Sequence, residues 1–268
     1  MRLILAAASL LAVVAPAAAE PIRLAAHRAI YDLSLAQGGG SRGVEAARGR
    51  IVIEFTGNAC EGYASKYRQV TVLETGETGS KTADLRNAAF EDDAGKLFRF
   101  RTESLSDGRN ETVDGEGATA ADGAVTVRLK QPKPERLSLP AGTLFPTAHM
   151  KRLIEAARAA ETTVEAKVYD GSEDGQKVYD TLAVIGRRIE PGFKQALESA
   201  SQQETLPRWP VKLSYFKGER GEGTPLYTLS FEVFEDGVSR ALRLDYGEFA
   251  LKGELTSLEM LPKGDCQR

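Results

Sequence analysis

The sequence is poor in the residues that most often carry chemistry: two cysteines, two histidines and one tryptophan among 268 residues. Two histidines cannot build a three-histidine metal centre, although a carboxylate could complete a mixed one. Neither H-E-x-x-H nor a close H-x-H pair is present. Past the N-terminus there is no run of ~18 apolar residues, so no later segment reads as a membrane-spanning helix. With 35 basic and 38 acidic side chains the net charge is −3, and the basic excess that nucleic acid demands is missing. No repeat recurs at a fixed period, and no cofactor-binding pattern is found. These absences point away from a metalloenzyme, a nucleic-acid binder and an integral membrane protein.

What is present begins with "MRLILAAASLLAVVAPAAAE". Arg2 supplies a positive n-region, Leu3 to Val14 an apolar core, and Ala17, Ala18 and Ala19 a small-residue cleavage pattern. The expectation is a signal peptide over 1–19, cleaved near Ala19, and an exported chain over 20–268; a retained membrane anchor is the alternative. Cys60 and Cys266 both fall in the exported part. In an oxidising compartment an even pair is most simply a disulfide, with two free thiols as the alternative. Such a bond would join an early strand to the C-terminus and favours one domain over two.

Most of the chain alternates with period two. In "PLYTLSFEVFED", Tyr227, Leu229, Phe231 and Val233 share one face, with Thr228, Ser230 and Glu232 on the other. "GRIVIEF", "GAVTVRLK" and "RALRLDYG" repeat the pattern, which suits antiparallel sheets with one buried face. Turn signals at Gly95, Asp122-Gly123 and Asp236-Gly237 separate the runs. The reading is an all-β chain of about a dozen strands, curled into an open barrel or wrapped sheet because a long flat meander would leave exposed edges. The stretch "QPKPERLSLPAGTLFP", about 131–146, reads as a proline-rich connector. After it, "LFPTAHMKRLIEAARAAE" carries Met150, Leu153, Ile154 and Ala157 at helical spacing, giving an amphipathic helix over about 147–160 with Thr147 as N-cap. That helix is expected to cap or plug the sheet. A weaker helical candidate, "PGFKQALESA", follows residue 190.

Three motifs invite a chemical reading. "DGSEDG", Asp170 to Gly175, fills the early positions of a calcium loop, but position 12 is Thr181 and the flanks are strand-like, so the expectation is a six-residue hairpin turn with its acids solvated at the tip. "GGSRG" around Ser41 satisfies the serine-hydrolase string without the strand and helix that motif needs. His27 heads the first strand and His149 lies in the first turn of the helix; structural roles are expected for both. Trp209, ahead of Pro210, is expected to enter a strand and the core.

Taken together, "AAHRAIYDLSL", "RGRIVIEFTGNACEGYASKYRQ", "LFPTAHM", "VYDGSEDGQKVYDTLAVIG" and the C-terminal cysteine resemble the EipB family of exported envelope integrity proteins from α-proteobacteria. The resemblance implies a periplasmic β-spiral, broadly similar to the lipoprotein carriers LolA and LolB, a Cys60–Cys266 disulfide, and no enzymatic activity. The leading functional expectation is a non-catalytic periplasmic protein that supports the envelope, with a concave face holding a lipid or a peptide. An interaction scaffold for another envelope protein is the second reading, and a hydrolase using His27 or His149 the third.

Overall fold

The period-two pattern becomes fourteen antiparallel strands hydrogen-bonded into one sheet. The computed structural model describes residues 20–38, 43–76, 79–192, 203–217 and 223–262. Residues 1–19, where a signal peptide is expected, Ser41, the helical candidate beyond Gly192 and Cys266 lie outside the described residues. The first half contains β1 (His27–Gln37), β2 (Val44–Asn58), β3 (Gly62–Thr75), β4 (Gly79–Glu91), β5 (Leu97–Ser106), β6 (Arg109–Thr119), β7 (Val125–Gln131) and β8 (Glu135–Leu139). After α1 (Pro146–Arg158) come β9 (Thr163–Val168), β10 (Tyr179–Ile185), β11 (Arg208–Phe216), β12 (Tyr227–Phe234), β13 (Ser239–Asp245) and β14 (Ala250–Met260).

The spatial order is β8-β7-β6-β5-β4-β3-β2-β1-β14-β13-β12-β11-β10-β9. Each half is a meander, and the first and last strands pair at the centre, His27 opposite Met260. The sheet curls without closing. At its edges, Leu144 N–H donates to the Lys167 carbonyl at 2.8 Å and Tyr169 N–H to the Leu144 carbonyl at 3.0 Å, so the chain leaving β8 runs beside β9. Gly95, Gly123 and Gly237 take positive φ in the β4–β5, β6–β7 and β12–β13 turns, where a side chain would be strained.

Two local expectations change. The proline-rich stretch is not only a connector, because Glu135–Leu139 inside it forms edge strand β8. Pro132 and Pro134 precede that strand and Pro140 follows it, where a missing N–H does least harm. The N-cap of α1 is Phe145, which makes no side-chain cap, and Pro146 opens the helix. Thr147 lies one residue inside, so its own N–H needs an acceptor.

The inner face carries two apolar clusters. The larger joins Tyr31, Ile51, Trp209, Phe231 and Leu251 of the sheet to Leu153 and Ile154 of α1. The smaller is Phe98, Phe100, Val127, Leu129, Phe145 and Tyr169, with Phe98 stacked on Phe145 at 4.9 Å between ring centroids. Each such aromatic or aliphatic side chain removed from water contributes about 1.5–3 kcal/mol. Helix and loop therefore fill most of the concave face. The outer face is charged: Asp84 bonds Arg68 at 2.9 Å and Arg86 at 2.8 Å, which holds its carboxyl down at about 2.

Candidate functional site

Between the two clusters the inward positions turn polar. Strand parity points Ser65, Tyr67, Gln69 and Thr71 of β3 inward, and the register sets Tyr67 opposite Asn87 of β4 and Asn87 opposite Thr102 of β5. Asn87 Nδ2 donates to Thr102 Oγ1 at 2.9 Å, the Tyr67 hydroxyl to Gln69 Oε1 at 2.5 Å, and Gln69 Nε2 to Thr71 Oγ1 at 3.1 Å. In front of these groups lies a cavity of about 270 Å³. Ser65, Tyr67, Asn87 and Thr102 line one side, Asp170 and Ser172 another, and Glu91 with Thr147 the end by the helix. Among the described residues no lysine or arginine lines it.

Across the opposite half of the curl runs a row of rings. Centroid separations are 5.9 Å from Tyr179 to Tyr215, 4.3 Å to Tyr227, 6.4 Å to Tyr246 and 5.0 Å to Phe249. Tyr246 also hydrogen-bonds Gln69, so the row meets β3 across the lumen. Burial pushes the Tyr67 and Tyr215 hydroxyls well above the ordinary phenol value, which keeps them neutral hydrogen-bonding groups.

The loop that resembled a calcium site supplies one wall. It is a ten-residue connection, 169–178, rather than a six-residue turn. Glu173 and Asp174 are exposed as expected, but Asp170 turns inward, accepts Ser172 N–H at 2.9 Å, and has its pKa raised by burial. Two glycines allow this fold-back. Gly171, at φ 71°, sits against the Phe100 ring, and Gly175, at φ 77°, against Val113 and Leu129; a Cβ at either would collide. The Tyr169 hydroxyl ties the loop by donating to the Gly175 carbonyl at 2.7 Å. Among the described residues no three His, Cys, Asp or Glu side chains gather as a metal-binding group.

Glu91 closes the other end. Its carboxylate accepts the N–H groups of Thr147 at 2.7 Å and Ala148 at 2.8 Å, doing for α1 what a cap side chain would do. Burial nevertheless pushes its pKa up to about 7, against the opposing effect of those bonds and of Lys151. Lys151 is held at 2.5 Å from Asp93 and lies over the Tyr63 ring at 4.9 Å.

The two histidines do not meet at this cavity. His27 is buried at the start of β1 with Nδ1 2.7 Å from the Ala25 carbonyl. His149 faces the core from α1, its Nε2 has no hydrogen-bond partner among the described residues, and burial lowers its pKa to about 4. Trp209 is buried in the larger cluster. Cys60 lies in the β2–β3 turn, its N–H donating to Asn58 Oδ1 at 2.8 Å. Sequence reading missed Glu91, Asn87 and the tyrosine row. The signal was there: Asn87 and Glu91 share inward parity with Leu85 and Ala89, where a core strand would be apolar.

A family model described as EipB-like matches residues 18–262. The chain belongs to the EipB-like family. A curated relative, "Cell envelope integrity protein EipB" of Brucella abortus (strain 2308), is 35% identical over 253 residues, covering 93% of this chain and 89% of the relative. A solved structure titled "Crystal Structure of Beta-barrel-like Protein of Domain of Unknown Function DUF1849 from Brucella abortus" superposes with a TM-score of 0.82 at 34% identity, covering 90% of this chain and 100% of that one. This EipB-like chain thus shares the curled sheet of that structure, and no helix among its described residues is long and apolar enough to cross a membrane.

Proposed function

We propose that the chain is an exported, periplasmic, non-catalytic protein that supports the cell envelope by holding a ligand, a lipid or a peptide, within the curl of its sheet. The observation that carries this reading is the cavity of about 270 Å³ left between two well-packed clusters. It is a half-open concavity walled by the sheet, α1 and the 169–178 loop, where a bound group would be largely removed from water. Family membership and the printed name of the Brucella relative support the envelope role. The non-catalytic part is supported by His27 and His149, both buried and neither lining the cavity. Residues 1–19 are taken as the cleaved signal peptide and 20–268 as one domain.

A Cys60–Cys266 disulfide belongs to the same proposal. Met260 pairs with His27 and His27 with Phe55, which brings the end of β14 to the end of the sheet that carries Cys60. Two strand spacings are about 10 Å, whereas six residues can extend over about 20 Å. No described cysteine is free.

Native mass spectrometry of gently purified protein tests the reading: a lipid or peptide that leaves only on unfolding is expected. Protein that is repeatedly empty would overturn it. One observation favours a scaffold as the second reading: β8 is the last strand at its end of the sheet, with one ladder used by β7. Crosslinking in cells would then capture a protein through β8 instead of a ligand.

A further inference from the structure

We propose that the cavity takes an uncharged, hydroxyl-rich ring, a sugar residue, presented either as a free glycan or as the headgroup of a glycolipid. This rests on the ligand-holding reading above and names the chemistry of the part that enters. Three features of the lining carry it.

The first is charge. Among the described residues the lining holds the carboxyl groups of Asp170 and Glu91 and no lysine or arginine, so a phosphate or a fatty-acid carboxylate would find no cation in the wall to pair with. The second is a mixed lining, in which apolar Leu85, Ala89 and Pro146 stand beside polar side chains. Ser65, Tyr67, Asn87, Thr102 and Ser172 bring hydroxyl and amide groups to one small space, and the Asn87 amide oxygen accepts no bond among the described residues. Tyr67, Thr102 and Ser172 already share hydrogen bonds with neighbouring side chains, but an acyl chain would give the Asn87 amide oxygen and the Ser65 hydroxyl no partner, whereas the rim of a sugar offers donors and acceptors all round. The third is aromatic surface. The Tyr67 ring lines the cavity, and a flat ring suits the C–H face of a sugar.

The site continues beyond the cavity. Ser172 Oγ lies 3.0 Å from the Tyr179 hydroxyl, and from Tyr179 the row of rings leads through Tyr215 and Tyr227 to Tyr246, which is 36% exposed. A glycan longer than one residue would find its exposed ring at Tyr246, at the far end of that row.

Isothermal titration calorimetry on the full exported chain tests the proposal with five probes: maltotriose, the trimer of N-acetylglucosamine, dodecyl maltoside below its micelle concentration, sodium oleate, and phosphatidylglycerol vesicles. At least one saccharide probe should bind, and Asn87→Leu and Tyr67→Phe should each weaken it tenfold or more with the melting temperature kept; Ser65→Ala serves if either fails to fold. Binding of a free trisaccharide identifies a glycan, and binding of dodecyl maltoside alone identifies a glycolipid headgroup. Saccharide binding that ignores all three variants overturns the site. Binding of oleate or of the vesicles alone overturns the sugar and leaves the ligand-holding function standing. If no probe binds and the purified protein is also empty by mass spectrometry, both fall.

Discussion

Glu91 of β4 and Thr147 of α1 are joined by a 2.7 Å hydrogen bond from the helix's first free N–H groups to a buried carboxylate, so the sheet itself caps the helix. That carboxylate sits at about 7 in the folded protein against 4.5 as a free side chain. The folded state thus favours the proton: this stability is fully present below about pH 4.5 and is lost as pH rises through about 7. A shift of this size corresponds to about 3 kcal/mol as an upper figure. Glu91→Gln, which mimics the protonated form, should come nearest the wild type in melting temperature at pH 4.5 and gain on it by several degrees by pH 8. A gap that is constant with pH would show that Glu91 is solvated.

His149 behaves with the opposite sign. Its pKa falls from 6.5 to about 4 because the imidazole is buried. The stability it protects is present above about pH 6.5 and is lost as pH falls through about 4. His149→Leu removes that loss, so its melting temperature should gain on the wild type steadily as pH is lowered from 6.5 to 4. Thermal melts in matched buffers read this directly, and parallel curves would refute it.

Gly171 tests the seat of the inward loop. Alanine there must hold a positive φ of 71° and push its Cβ into the Phe100 ring. Left-handed backbone costs about 1–2 kcal/mol and overpacking about 1–3 kcal/mol. Gly171→Ala should therefore lower the melting temperature by several degrees, while Gly142→Ala, also at positive φ but in open space, should cost less. Equal losses would mean that the loop is not packed on Phe100.

The proposed Cys60–Cys266 bond closes a loop of ~200 residues, for which chain entropy alone gives about 5 kcal/mol as an upper figure. Cys60→Ser or Cys266→Ser should lower the melting temperature by several degrees or more, and a reducing agent should bring the wild type down to match. An unchanged midpoint under reduction would sink the pairing.

The fold was legible because its signals are local. Alternation in 227–233, the glycine turns and the helical spacing of Leu153 and Ile154 each act within a few residues. What the 169–178 loop does was not legible, because its direction depends on Phe100, Val113 and Leu129, far away in sequence. Thr147 misled for a related reason: a side chain 56 residues upstream, Glu91, already supplies the acceptor that a cap would provide. The cavity needed registers as well as parity, since Tyr67, Asn87 and Thr102 become neighbours only once three strands are aligned.

Placing β1 against β14 has a consequence for how the chain matures. The seam at the middle of the sheet joins the earliest and latest of these strands, so a polypeptide emerging N-terminus first holds an open edge on β1 until β14 has been made. Deleting the last strand would therefore not trim a margin; it would split the molecule into two meanders, and a chaperone that shields a bare strand would have its natural client in that unfinished form.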